Sequence, residues 1–276
     1  SIGVNPFKYG VVGGGDIHTA IVSHEEFAFT GEHNLKSSTP HARLLEGVPG
    51  EPSKIEQGSA GLSCVWAEEN TREAIYDAMA RKETWATSGT RIVVRVFGGF
   101  DFGNAKPGDR EWARVGYRNG VPMGGDLKPD ARKSAPRLMI AASKDPNSGN
   151  LDRIQVIKGW VDAAGKTHDR IYDVAWSGNR RIGSDGKLPA VGNTVDVSNA
   201  SYKNTIGSPE LATVWKDPDF DPAVPAFYYV RVLEIPTPRW STYDAKALGI
   251  DPPKDFPATI QERAWSSPIW YTPGSI

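Results

Sequence analysis

The chain is 276 residues long, 39% hydrophobic and 24% charged, with a formal net charge of -1. That length can bury a substantial core and fits one large domain or two unequal ones. The near-zero charge argues against a nucleic-acid or anionic-membrane surface, and no run of eighteen apolar residues is present to span a bilayer. Cys64 is the only cysteine, which excludes an internal disulfide and a thiolate zinc cluster and predicts a buried, inert thiol. Lack of disulfides fits cytoplasm and periplasm alike. The start at Ser1, with neither Met nor an apolar leader, predicts a fragment or processed form.

The first ninety residues have α/β character. Tyr9-Gly10-Val11-Val12, closed by Gly13-Gly14-Gly15, predicts a short buried strand. Residues 19–62 are rich in Ser, Gly, Pro and charge, and are too long for an ordinary connector, so a functional loop or lid is expected. Asn70-Thr71-Arg72-Glu73 has capping-box spacing, with the Asn70 oxygen and the Glu73 carboxylate placed to serve free amides. Ala74, Ile75, Ala78 and Met79 then share one helical face, and Arg81 and Lys82 suit the negative end of the helix dipole. Ala86-Thr87-Ser88-Gly89 closes the element.

From Arg91 onward the pattern turns to β. Residues 91–97 are strand-like, and Asn119-Gly120 predicts a tight hairpin. Residues 138–142 lead into the turn cluster 145–150. Residues 154–161 and 171–176 flank a turn at Ala164-Gly165-Lys166, and 227–235 form a strand halted by Pro236 and Pro238. Such spacing suits a sandwich or a similar antiparallel sheet. Residues 178–225 read as surface excursions that nevertheless bury Trp215 and Phe220.

Four of the five histidines, His18, His24, His33 and His41, fall in one short stretch. Only His18 has a chemical context: glycines, then Asp16-Ile17-His18. In an extended segment residues i and i+2 project to one side, so Asp16 and His18 can address one point. A carboxylate with a neutral imidazole is a ligand pair for zinc, manganese or iron, and the glycines allow close approach of backbone or substrate. A hydrogen bond closing a turn explains the same pair equally well. Glu25 and Glu26 read as solvated charges. Residues 145–150 hint at a calcium loop but lack the Glu of an EF-hand. Ser88-Gly89-Thr90-Arg91 fits either an anion site or a plain turn. Nine Trp and nine Tyr fit a carbohydrate platform or an ordinary core.

Several stretches together resemble the DUF 3604 family, an uncharacterised bacterial family similar to the polymerase-and-histidinol-phosphatase (PHP) metal hydrolases. They are residues 5–10, Gly15-Asp16-Ile17-His18-Thr19-Ala20, residues 67–75, 84–92, 144–152 and 263–270. The resemblance implies that Asp16 and His18 are the last metal-binding pair of a PHP-like α/β barrel. It also implies that an earlier His-x-His segment supplies most other ligands. No His-x-His occurs in this chain, which therefore looks like the C-terminal part of a larger protein. Where the family has Ser or Thr, this chain carries Gly14, Gly15 and Ile17.

The fold class expected is α/β plus all-β. Residues 1–90 would be the C-terminal part of a PHP-like barrel, and residues 91–276 a β-rich, sandwich-like domain packed on it. The function expected is metal-assisted hydrolysis of phosphoesters once the N-terminal segment is present. Asp16 and His18 would hold a divalent zinc, manganese or iron ion, with Arg91 and His24 as candidate substrate contacts. A non-catalytic β-rich module recognising carbohydrate or protein is the alternative. The partners expected are a small-molecule substrate and the N-terminal segment, with no nucleic acid or membrane, in bacterial cytoplasm or periplasm.

Overall fold

A computed structural model describes residues 5–18, 22–31, 38–46, 54–129 and 134–274. In chain order the strands are β1 (Leu62–Val65), β2 (Thr84–Thr87), β3 (Val93–Gly99), β4 (Gly120–Pro122), β5 (Asp126–Leu127), β6 (Arg137–Ser143) and β7 (Leu151–Val161). They continue with β8 (Thr167–Trp176), β9 (Glu210–Lys216), β10 (Ala226–Glu234), β11 (Thr237–Pro238), β12 (Thr259–Ile260), β13 (Arg263–Ser266) and β14 (Ile269–Tyr271). Four α-helices interrupt them among the described residues: Pro40–Leu45, Arg72–Ala80, Trp112–Asn119 and Trp240–Leu248.

The molecule is not a PHP-like α/β barrel. An α/β barrel needs parallel strands joined by helical crossovers and a closed ring. Here β1 and β2 flank the helix Arg72–Ala80 but pair antiparallel, Leu62 opposite Thr87. Among the described residues no sheet closes, only the short pairing of β14 with β5 is parallel, and β11 and β12 form a separate antiparallel ribbon. Eight strands form one sheet: β10 is bordered by β7 and β8 on one side and by β13 and β14 on the other, with β2 and β1 beyond β13. A second sheet runs β4-β3-β6-β9. One sheet thus joins strands from before and after residue 90.

The core lies between these sheets. Val94, Val96, Leu138 and Ile140 meet Ile154, Val156, Tyr228, Val230 and Val232 in one buried cluster. At roughly 2 kcal/mol per fully buried aliphatic side chain, this layer dominates the packing energy. Alternation along β10 shows why it forms: Ala226, Tyr228, Val230, Val232 and Glu234 point inward, while Phe227, Tyr229, Arg231 and Leu233 are half-buried on the other face.

Local expectations are corrected in four places. Tyr9-Gly10-Val11-Val12 is not a buried strand; Tyr9 is 65% and Val12 57% exposed. Ser267 and Thr84 hydroxyls hold the Val11 amide and carbonyl, at 2.9 and 2.8 Å, in place of a strand ladder. The helix is capped by Thr71, whose side chain accepts from the Ala74 amide, rather than by Asn70. Residues 84–87 belong to β2 and do not close that helix. Asn119-Gly120 is a junction where the helix Trp112–Asn119 runs directly into β4, so no hairpin turn is required. The β7–β8 hairpin does form, with Gly165 at φ +80 in its turn.

Candidate functional site

Asp16 and His18 come together at the surface. Asp16 Oδ1 lies 3.4 Å from His18 Nε2, with the side chains 92% and 51% exposed, respectively. The convergence does not come from an extended segment. Asp16 has φ +49, a left-handed conformation that aspartate tolerates better than most residues, and the resulting bend swings the two side chains together. Close approach of other backbone explains two glycines before the pair. A Cβ on Gly13 would lie 2.4 Å from the Leu62 carbonyl oxygen, and one on Gly15 would lie 2.5 Å from Ala60 Cβ. The Gly61 amide donates to the Gly14 carbonyl at 3.1 Å, fixing the pair's segment against the approach to β1.

Beside this segment opens a cleft of about 820 Å³ lined by Gly13, Gly14, Tyr9, Tyr229, Trp265 and Trp270, among others. Its described lining carries no charged side chain.

The other candidate residues are engaged elsewhere. His24 Nδ1 lies 3.0 Å from the Gly89 carbonyl, a contact that places the proton on that nitrogen and ties residues 22–31 to the turn after β2. The Arg91 amide and Nε both donate to Asp145 Oδ2, at 2.8 and 3.2 Å, and Arg91 Nη2 lies 3.6 Å from Glu25. Burial pushes the Asp145 carboxyl upward, but the Asn147 and Arg91 amides and the Arg91 guanidinium outweigh it and hold it below its usual range. Two carboxylates therefore already neutralise Arg91. His41 pairs with Glu46 at the surface, and His33 lies outside the described residues. No group of three or more His, Cys, Asp or Glu suited to a metal gathers among the described residues.

The turn 145–150 is not a calcium loop. The Lys144 ammonium occupies its centre, donating to the carbonyls of Asp145, Pro146 and Ser148 at 2.8, 3.2 and 2.9 Å. A charged donor serving three carbonyls replaces an external cation. Lys144→Met is expected to lower unfolding free energy by about 1.5–3 kcal/mol, read as a shift in the urea midpoint. An unchanged midpoint would show that the ammonium does not hold the loop. Cys64 is half-buried rather than buried, and burial pushes its thiol up, which disfavours the thiolate.

A cluster of carboxylates is the feature that residue-by-residue reading missed. Glu25, Glu26, Asp145 and Glu262 line a cavity of about 180 Å³ together with Tyr202 and Tyr243, and the fully buried Glu234 is joined to that lining through Ser148. Glu26 is not a solvated charge: it accepts from the Trp240 amide at the start of the helix Trp240–Leu248 and from Ser59 Oγ at 2.6 Å. Burial, above all, pushes Glu234 up to about 7, despite the hydrogen bond that Ser148 Oγ donates to its Oε2 at 2.6 Å. Burial and the Glu26 charge push Glu262 up to about 8. The alternation of β10 was the available signal for Glu234, because it sets that position on the inward face.

No curated protein and no solved structure matches the chain. A family model described as a protein of unknown function matches residues 1–273. The chain therefore belongs to the DUF3604 family.

Proposed function

We propose that this chain carries part of the metal centre of a divalent-metal-dependent hydrolase acting on phosphoesters, with Asp16 and His18 as two of the ligands. The observation that supports the reading is the 3.4 Å between Asp16 Oδ1 and His18 Nε2. Two donors bound at about 2.0–2.1 Å to one tetrahedral ion stand roughly 3.3–3.4 Å apart. The residues fit zinc, manganese or iron in type and spacing and fall short in number. The remaining donors come from outside the described residues, as expected if this is the C-terminal portion of a larger PHP-related protein whose first metal motif lies elsewhere.

A bound ion would lower the pKa of a coordinated water and so supply the nucleophile. Asp16 would contribute a negative oxygen and His18 a neutral nitrogen. The exposure of both leaves the site open to substrate, and the adjoining uncharged cleft would hold the apolar body of the ester.

Metal analysis of the full-length protein together with hydrolysis of bis(p-nitrophenyl) phosphate tests the reading. Asp16→Ala and His18→Ala are each expected to lower activity at least about a hundredfold and to reduce bound metal. Asp16→Asn, which keeps the side chain's tolerance of the left-handed conformation at φ +49, separates loss of a ligand from backbone strain and should lower activity and bound metal likewise. Metal-free protein, or activity indifferent to both substitutions, would sink the proposal.

A further inference from the structure

Next to the first cleft, and sharing Phe227 and Trp270 with it, a second cleft of about 920 Å³ lies where β7, β8, β10 and β14 meet. Strand register defines its floor. Asp169 is opposite Gly159, Gly159 opposite Phe227, and Phe227 opposite Trp270. Directly opposed residues project to the same face, so these four form one row across the sheet. Gly159 leaves the row without a side chain, and Phe227 fills the space: a Cβ on Gly159 would lie 2.3 Å from the tip of the Phe227 ring. Phe227 and Trp270 stand 5.2 Å apart with planes tilted by 46°, giving an apolar wall made of ring surfaces.

Hydrogen-bonding side chains surround that wall: Asn5, Lys8, Thr167, Asp169 and Thr272. The charges argue against an anionic ligand. Lys8 is paired with Asp126, and His168 Nε2 lies 2.7 Å from the Asp162 carboxylate. Exposed Asp169 presents two acceptor oxygens at one end of the row. The cleft thus offers aromatic surface for apolar C–H groups, a rim rich in donors and acceptors for hydroxyls, and no uncompensated cation among its described lining residues.

We infer that this cleft is a binding site for a neutral saccharide, with a pyranose ring against Phe227 and Trp270 and its hydroxyls donating to Asp169. An extended proline-rich peptide also docks on aromatic grooves, but it has little use for so many polar partners along the rim. The saccharide site uses neither Asp16 nor His18, but it shares Phe227 and Trp270 with the cleft assigned to the ester, so Asp169, which lines the second cleft and not the first, separates the two readings.

Titration of the full-length protein with soluble cello-, xylo-, manno- and malto-tetraose tests the inference, read by tryptophan fluorescence and calorimetry. A tetragalacturonate and a proline-rich decapeptide serve as comparators. Saturable binding of at least one neutral tetraose is expected. Asp169→Asn and Trp270→Ala should each weaken it tenfold or more, and Asp16→Ala should leave it unchanged. Asp169→Asn alters an exposed residue and leaves folding intact, so it remains informative if Trp270→Ala destabilises the sheet. Absence of saturable saccharide binding overturns the inference. So does preference for the anionic sugar or the peptide, or affinity indifferent to Asp169→Asn.

Discussion

Lys158→Ala is expected to lower the unfolding free energy by about 3–5 kcal/mol, the cost typical of stranding one member of a buried ion pair. Lys158 and Asp217 are 4% and 2% exposed, and Lys158 Nζ lies 2.6 Å from Asp217 Oδ2. The ammonium also donates to the Asp219 carbonyl at 2.7 Å and lies near the Trp160 ring. Asp217 in turn accepts from the Tyr228 hydroxyl at 2.7 Å and from the Asp219 amide at 2.9 Å. Burial and the Asp217 charge raise the Tyr228 phenol far above its ordinary value, so it remains a donor. Removing Lys158 leaves a buried carboxylate with neutral donors alone. The double substitution Lys158→Met with Asp217→Asn removes both charges and keeps an acceptor for Tyr228, so it should recover at least half of the loss. Urea unfolding measures both. A single-variant cost under about 1 kcal/mol would show that water reaches Asp217 or that the pair contributes little.

Thermal stability should fall as pH rises from about 5 to about 8. Glu234 and Glu262 are pushed up to about 7 and about 8, so the folded state binds protons that the unfolded chain has already released. A raised carboxyl pKa means that stability is highest below the unfolded value near 4.5 and declines through the folded values. Shifts of this size correspond to something on the order of 3–5 kcal/mol for each group acting alone. The two carboxyls repel each other, so their effects do not add. Glu262→Gln keeps an acceptor for the Ser88 hydroxyl and removes the charge. It should raise the melting temperature by several degrees at pH 8.5, do little at pH 5, and flatten the slope between them. A melting temperature that rises over this range, or a slope unchanged by the substitution, would refute the account.

Some of this structure was legible residue by residue. The apolar run over 227–235, halted by Pro236 and Pro238, marked the strand that became β10, and turn residues around Gly165 marked the β7–β8 hairpin, because both signals are local. The helix Arg72–Ala80 was equally legible, with its cap one position later than the spacing suggested. The proximity of Asp16 and His18 was readable from their spacing, although the left-handed turn at Asp16 that produces it was not. Family membership followed from motifs spread along nearly the whole chain, since motif order survives without knowledge of the fold.

Strand pairing was not legible. Tyr9-Gly10-Val11-Val12 is apolar enough for a strand, but whether it is buried depends on what lies beside it, and here that is a pair of hydroxyls. Asn119-Gly120 carries a turn signal that the preceding helix overrides. The expected barrel failed for the same reason: apolar runs specify that strands exist, whereas partner and direction are set by long-range packing of one face against another. The carboxylates of Glu26, Glu234 and Glu262 show this most clearly. Glu26 and Glu262 stand in unremarkable local sequence, the strand period marks only the face of Glu234, and the folded sheets alone bring the three close enough for burial and mutual repulsion to raise the pKa values of Glu234 and Glu262.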